Sequence, residues 1–189
     1  LPGIYIAYPS CAADAKGLLK MACRMDDPVI FMEHKGLYRQ GYAATEEPDA
    51  DYLLPFGKGR KVMEGDELTV ITWGAMVQKS MEAVQSLEIS TGSVEVIDLR
   101  TLNPLDMDII ETSITKTSKV LVVHEDNITN GPGAEIAAII ADKFFELLDG
   151  PVRRVGAKDS PVPFNWIIEE EILPQTVDVV NAIQELLEY

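Results

Sequence analysis

The stretch from Val120 to Ala138, V-L-V-V-H-E-D-N-I-T-N-G-P-G-A-E-I-A-A, constrains the fold more than any other. Val120–Val123 is a short, β-branched apolar run. Its length and content predict a strand buried on both faces, as in a parallel sheet. The run breaks at the polar triplet His124-Glu125-Asp126, passes a loop with two glycines and enters a helix near Ala134. Strand, glycine loop and helix form the turn at the carboxyl end of an α/β sheet, where such folds keep their ligands. The question this raises is whether a ligand sits there.

The rest of the chain repeats the alternation. Gly3–Ala7 reads as a strand, Ser10 as an N-cap, and Asp14 as a first-turn acid favoured by the helix dipole. Ala15, Leu18, Leu19, Ala22 and Cys23 then share one helical face, and Asp26-Asp27-Pro28 stops the helix before the strand Val29–Met32. This strand–helix–strand unit implies a parallel pair. Two strands and one helix cannot cover both faces of a sheet, so the unit needs neighbours. With no initiator Met, we expect them to precede Leu1 in a longer protein. The opening residues also lack the basic flank and apolar core of a signal peptide.

Residues 34–60 are broken by Gly36, Gly41, Pro48, Pro55, Gly57 and Gly59 and read as a linker or crossing segment. Strands follow at Leu68–Thr72, Val94–Asp98, Val120–Val123 and Val152–Val155. Helices between them carry Val77, Met81, Val84 and Leu87; Ile109, Ile110 and Ile114 behind an Asp106 cap; and Ile136, Ile140, Phe144 and Leu147. A last helix from Thr176 buries Val179, Ile183, Leu186 and Leu187. Leu99–Leu105 reads as a loop. The expected fold class is α/β with a doubly wound, mostly parallel sheet, preceded by a partial βαβ piece of a second α/β domain.

Charge narrows the function classes. With 16 Lys+Arg against 31 Asp+Glu the net charge is -15. That disfavours nucleic acid and anionic membranes, which need a basic footprint, and favours a basic partner. No apolar run reaches the roughly 18 residues of a bilayer span. Cys11 and Cys23 form no C-x-x-C and read as free thiols.

The motifs give little chemistry by themselves. Gly131-Pro132-Gly133 fails the dinucleotide fingerprint, because position 136 is isoleucine and Pro132 removes an amide that would hold a phosphate. A tight turn is the better reading. His124-Glu125-Asp126 is placed for acid–base work but has no visible nucleophile or metal partner, and His34 lies in the turn Glu33-His34-Lys35. Two histidines without a cysteine cluster do not make a transition-metal site. Ser90, Ser113 and Ser160 lack a nucleophile-elbow setting. Asp98-Leu99-Arg100 could form a buried ion pair or reach a partner domain, and the structural role is the better reading.

Taken together and in order, Asp14–Lys20 (D-A-K-G-L-L-K), Asp27–Arg39, Val96–Asp106, Val122–Glu125, Gly133–Ala137 and Asp159–Phe164 (D-S-P-V-P-F) resemble a known family. It is the beta subunit, or beta half, of the thiamine-diphosphate-dependent decarboxylating component of 2-oxo acid dehydrogenase complexes. The resemblance covers essentially the whole chain. Leu37–Arg39, Thr72–Gly74 and His124-Glu125 look more like the branched-chain (2-oxoisovalerate) enzyme than the pyruvate enzyme.

The resemblance implies that residues 1–55 are the end of a pyrimidine-binding domain plus linker, and that residues 61–189 are a transketolase-type C-terminal domain. It implies thiamine diphosphate and Mg²⁺ in the intact enzyme, held outside this chain, whose matching part lacks the family's activating glutamate and catalytic histidine. No catalytic or cofactor-binding residue is therefore assigned here, and the fragment alone should be inactive. A structural K⁺ would fall at Ala22, Cys23 and Asp27, although Met25 stands where an acidic residue is common. Implied partners are an alpha subunit or half, a second beta copy, and the acyltransferase core through its basic subunit-binding domain. Interface candidates are Arg100, His124, Glu125, Glu185 and Glu188. The setting would be the bacterial cytoplasm, or the mitochondrial matrix in a eukaryote. The alternatives are a deoxyxylulose-phosphate synthase or transketolase, a non-catalytic dimerisation module, and a nucleotide-binding domain.

Overall fold

The computed structural model describes residues 2–87 and 92–189. Ser90 of the serine set lies outside them. The chain opens with strand β1 (Tyr5–Ala7), helix α1 (Ala12–Ala22) and strand β2 (Val29–Phe31), and β1 and β2 pair in parallel. Residues 35–37 and 41–43 form single 3₁₀ turns in the crossing segment. Next come β3 (Arg60–Met63), β4 (Leu68–Thr72), α2 (Met76–Ser86), β5 (Val94–Asp98), β6 (Thr101–Asn103) and α3 (Met107–Thr117). The chain closes with β7 (Val120–Asn127), α4 (Pro132–Lys143), β8 (Arg153–Ala157), α5 (Trp166–Ile172) and α6 (Thr176–Leu187).

The main sheet has the order β3-β5-β4-β7-β8, with β3 antiparallel and the others parallel. Alternate residues of its central strands face opposite layers. Leu68, Val70, Val94, Val96, Leu121 and Val123 pack on Met76 and Ala83 of α2 and Val179, Ile183 and Leu186 of α6. Ile71, Ile97, Val120 and Val122 pack on Ile110 and Ile114 of α3 and Ile136 and Ile140 of α4. Helices on both faces explain why these strands read as continuous apolar runs. The expected α/β class is the observed one.

Several local expectations are corrected. Residues 101–103 are not loop: they form β6, which pairs antiparallel with β1 and makes a three-stranded sheet, β2-β1-β6. A three-residue strand is too short for a pattern to reveal. The third strand does not break at His124 but runs to Asn127, because β8 continues to pair with it as far as Asn127 opposite Ala157. Helix α4 starts at Pro132, whose missing amide costs nothing at a first helical position. The N-cap of α1 is Cys11, not Ser10. Leu19 and Cys23 are exposed and the buried face is Asp14, Gly17 and Leu18, because the crossing segment lays Tyr52 and Leu54 against Gly17. Strand β3 and helix α5 had no signal of their own. The Asp106 cap is as expected, accepting from the Ile109 amide.

Candidate functional site

In sequence order the main sheet runs from β4 out to β5, then back across to β7 and β8. The reversal lies between β4 and β7, and its carboxyl-end crevice is where such sheets bind ligands. Here the chain's own N-terminal segment fills the crevice. Tyr8 donates its amide to the Arg100 carbonyl at 2.8 Å and lays its ring on Gly74, just beyond β4. Gly74 has φ +57, and a Cβ there would stand 2.8 Å from the ring, so both the turn and the close approach require glycine. The Tyr8 hydroxyl points at Glu125 at 3.4 Å, and His34 Nε2 reaches the other oxygen of Glu125 at 3.3 Å. Hydrogen bonding to that carboxylate holds the His34 pKa above the usual imidazole range. Burial, and then the charge of Glu125, push the Tyr8 phenol well above its ordinary value.

His124, one residue earlier on β7, points the other way and is fully buried. Its ring stacks on Trp73 at 5.7 Å with an interplanar angle of 2°. Gly133 and Gly156 close the cradle: a Cβ at either would stand 2.2 Å and 2.8 Å from the ring. Among the described residues neither ring nitrogen has a side-chain hydrogen-bond partner. Burial lowers the His124 pKa, so the imidazole is neutral. The glycine loop that resembles a phosphate cradle is therefore occupied by a side chain. In this chain the ring is a packing group between Trp73 and the two glycines.

On the other side of β4 is a buried charge cluster. Arg100 has φ +60, an uncommon conformation for a residue with a Cβ. Its amide donates to Asp98 at 3.0 Å, and its guanidinium grips Asp14 of α1 in a fork at 2.9 and 2.8 Å. Asp98 also accepts from the Ser10 hydroxyl, while Arg60 Nη2 lies 3.4 Å from Asp14 and 3.5 Å from Asp98. Burial pushes the Asp98 pKa up to about 6, against the pull of these donors. The pair suggested by the D-L-R spelling thus does not form side chain to side chain. Each member instead takes a partner from elsewhere, Arg100 from α1 and Asp98 from Ser10 and Arg60.

A cavity of about 300 Å³ opens beyond this seam at the carboxyl ends of β1 and β2, lined among others by Ser10, Cys11, Glu33, His34 and Tyr38. Cys11 is half-buried, and burial raises its thiol pKa, so it is not an activated nucleophile. Ser113 is buried within α3, and Ser160 lies on the loop after β8.

The structure brings Arg100 and Glu125 to the seam, while His124 belongs to the core and Glu185 and Glu188 are exposed at the end of α6. Ala22, Cys23 and Asp27 lie at and after the carboxyl end of α1, where the Ala22 carbonyl accepts from the Met25 amide. Among the described residues no group of three or more His, Cys, Asp or Glu is arranged to hold a metal, and no helix is long and apolar enough to cross a membrane. Tyr8, Asp14 and Arg60 carry the seam without having been singled out as site residues. Only Asp14 gave a signal, an acid on an otherwise apolar helix start, and the dipole reading absorbed it.

A doubly wound sheet with an antiparallel edge strand, whose crevice is closed by its own chain, defines the class. Residues 57–179 match the model of the transketolase C-terminal domain, and the chain belongs to that family. It is 40% identical over 188 residues to the pyruvate dehydrogenase E1 component subunit beta of Staphylococcus aureus, covering 100% of this chain and 57% of the relative. It is 39% identical over 186 residues to the protein of that name from Rickettsia bellii, covering 98% and 56%. A solved structure titled split gene transketolase, inactive beta4 tetramer, superposes with a TM-score of 0.78 at 26% identity, covering all of this chain and 58% of that one. The chain thus spans little more than half the length of the relatives it matches.

Proposed function

We propose that this chain is part of the beta side of the decarboxylating component of a 2-oxo acid dehydrogenase. The observation that carries this reading is 40% identity to such a subunit along the whole chain. The intact enzyme would release CO₂ from a 2-oxo acid and pass the acyl group to a lipoyl group. Thiamine diphosphate, with Mg²⁺, supplies the carbanion stabilisation when bound. The residues present here do not fit that cofactor: Tyr8 fills the switch-point crevice and His124 fills the glycine loop. The share of this chain is scaffold. Residues 61–189 form the transketolase-type domain and residues 1–55 the end of its neighbour, and β6 and the Asp14–Arg100 fork tie the two together.

The relatives' names favour pyruvate over a branched-chain acid. Of the residues that suggested the branched-chain type, Trp73 and His124 pack against each other in the core. Partners under this proposal are an alpha subunit or half, a second beta copy, and the acyltransferase core, whose basic subunit-binding domain would meet the exposed Glu185, Glu188 and Tyr189. The bacterial relatives favour the cytoplasm. A K⁺ at Ala22, Cys23 and Asp27 would use the negative carbonyl end of α1. A melting temperature that does not change between KCl and NaCl at equal ionic strength would remove it.

The test is decarboxylation by the full-length gene product with its alpha partner, assayed with pyruvate and with 3-methyl-2-oxobutanoate. We expect thiamine-dependent turnover, faster on pyruvate, and none from this chain alone. Turnover on a ketose phosphate instead would favour the transketolase reading, which the split transketolase neighbour supports.

A further inference from the structure

After β2 the chain crosses the surface as a strap, residues 33–46, that little else holds down. Ala43 is its one buried residue. Its backbone hydrogen bonds are local: the amides of Leu37, Tyr38, Gln40, Ala43 and Ala44 all donate to carbonyls within residues 34–41. The exposed Tyr38 hydroxyl donates to Glu33 at 2.7 Å, inside the strap. Its two ends are moored. The Met32 amide donates to the Ala7 carbonyl at 2.8 Å, and Lys16 Nζ donates to Glu47 at 3.0 Å and to the Pro48 carbonyl at 2.7 Å. Between these moorings, among the described residues, one polar contact ties the strap to the rest of the molecule, His34 Nε2 to Glu125 Oε1 at 3.3 Å. A segment with so few buried apolar contacts and a single tether opens locally before the domain does. What it covers is the cavity of about 300 Å³. Ser10, Cys11 and Ala15 line that space from α1 and the residues before it, and Leu37, Gln40 and Ala43 line it from the strap.

The tether changes strength with its proton. As an imidazolium, His34 gives Glu125 a charge-assisted hydrogen bond. As a neutral imidazole it gives an ordinary one, roughly half as strong. The charged groups around the ring come from several elements. Glu125 on β7 takes the contact, and its other oxygen faces the Tyr8 hydroxyl at 3.4 Å. Lys79 on α2 opposes the charge of the ring, but its ammonium is held by the Pro174 carbonyl at 2.7 Å. Glu33 and Lys35 flank the ring on the strap with opposite signs. The hydrogen bond to Glu125 outweighs burial and Lys79 and raises the His34 pKa, so the full contact is present below the usual imidazole value and is lost as pH rises through the raised one.

We propose that His34 and Glu125 form a proton-operated latch: protonated His34 holds residues 33–46 down over the cavity, and loss of its proton frees them to lift. The latch lies within this chain and operates whichever substrate the intact protein takes.

The test is hydrogen exchange of the 189-residue chain, read as protection factors so that the intrinsic pH dependence of exchange cancels. Between about pH 6 and about pH 8.5 the amides of Leu37, Gln40 and Ala43 should lose about threefold in protection, the difference between a charge-assisted and a neutral hydrogen bond at a partly exposed pair. His34→Gln, on the exposed strap, should leave the melting temperature unchanged and give the lower protection at both pH values. Glu125→Gln should remove the pH dependence in the same way. Returning the chain to about pH 6 should restore protection in wild type and in neither variant. Strap protection that does not change with pH in wild type, or a pH dependence that survives in His34→Gln, overturns the proposal.

Discussion

His124 and the cluster of Asp14, Asp98, Arg60 and Arg100 flank the same strand end, one on the β7 side of β4 and the other on the β5 side. Both take polar groups out of water, by opposite means. His124 is neutral and has no side-chain hydrogen-bond partner among the described residues, and it is held by shape: a tryptophan face on one side and two glycines on the other. The cluster is charged, each carboxylate faces a guanidinium, and it is held by pairing. A site held by shape should fail when volume is added. A site held by pairing should fail when one partner is removed.

The largest effect is expected from Gly133→Ala. The new Cβ would lie 2.2 Å from His124 Cδ2, and Trp73 and Gly156 leave the ring nowhere to go. We expect a loss of about 4 kcal/mol or failure to fold, read from the urea midpoint. Adding His124→Ala should return part of it, since the clash is with that ring. A loss below about 1 kcal/mol would mean that the cradle is soft and that shape does not hold the site.

Asp14→Ala should cost somewhat less, about 3 kcal/mol, by stranding the Arg100 guanidinium, which is only 11% exposed. It should also loosen α1 from the main sheet and speed proteolysis within residues 34–60. Asp14→Ala combined with Arg100→Ala should cost clearly less than the sum of the two single changes. Strict additivity would show that the fork contributes nothing as a pair.

These two sites also mark how far the sequence could be read. The sheet and its helices were legible, because central strands covered on both faces spell unbroken apolar runs, and α3 and α6 carry their buried residues at helical spacing. Asp106 announced its cap. Three-residue β6 and the edge strand β3 were not legible, since their existence depends on pairing with distant strands, β1 and β5. The candidate site was legible by position only. The switch point at the end of β7 beside β4 could be located, but not its occupant, because Tyr8 comes from more than a hundred residues upstream. The glycines around His124 looked like a cofactor loop for the same reason: the sequence shows that space is left open, and only the fold shows what fills it. Asp98 and Arg100 suggested each other by proximity along the chain, yet their side chains turn to Arg60 and Asp14.

The smallest effect is the sharpest comparison of the two sites, because it has opposite signs. The folded-state pKa of His124 is lowered by burial, so its contribution is present above the unfolded value of about 6.5 and is lost as pH falls. Burial raises the folded-state pKa of Asp98 to about 6 from 3.8, so its contribution is present below the unfolded value and is lost as pH rises through about 6. Below about pH 6 the two slopes oppose each other, each limited to about 1.4 kcal/mol per pH unit. Difference curves against wild type isolate them, because the shared titrations cancel. Going from about pH 7 to pH 5, Asp98→Asn should lose stability relative to wild type and His124→Leu should gain it, both measured as denaturation midpoints across the range. Curves of the same sign, or a flat curve for His124→Leu, would show that the ring is solvated after all and that the contrast between shape and pairing is false.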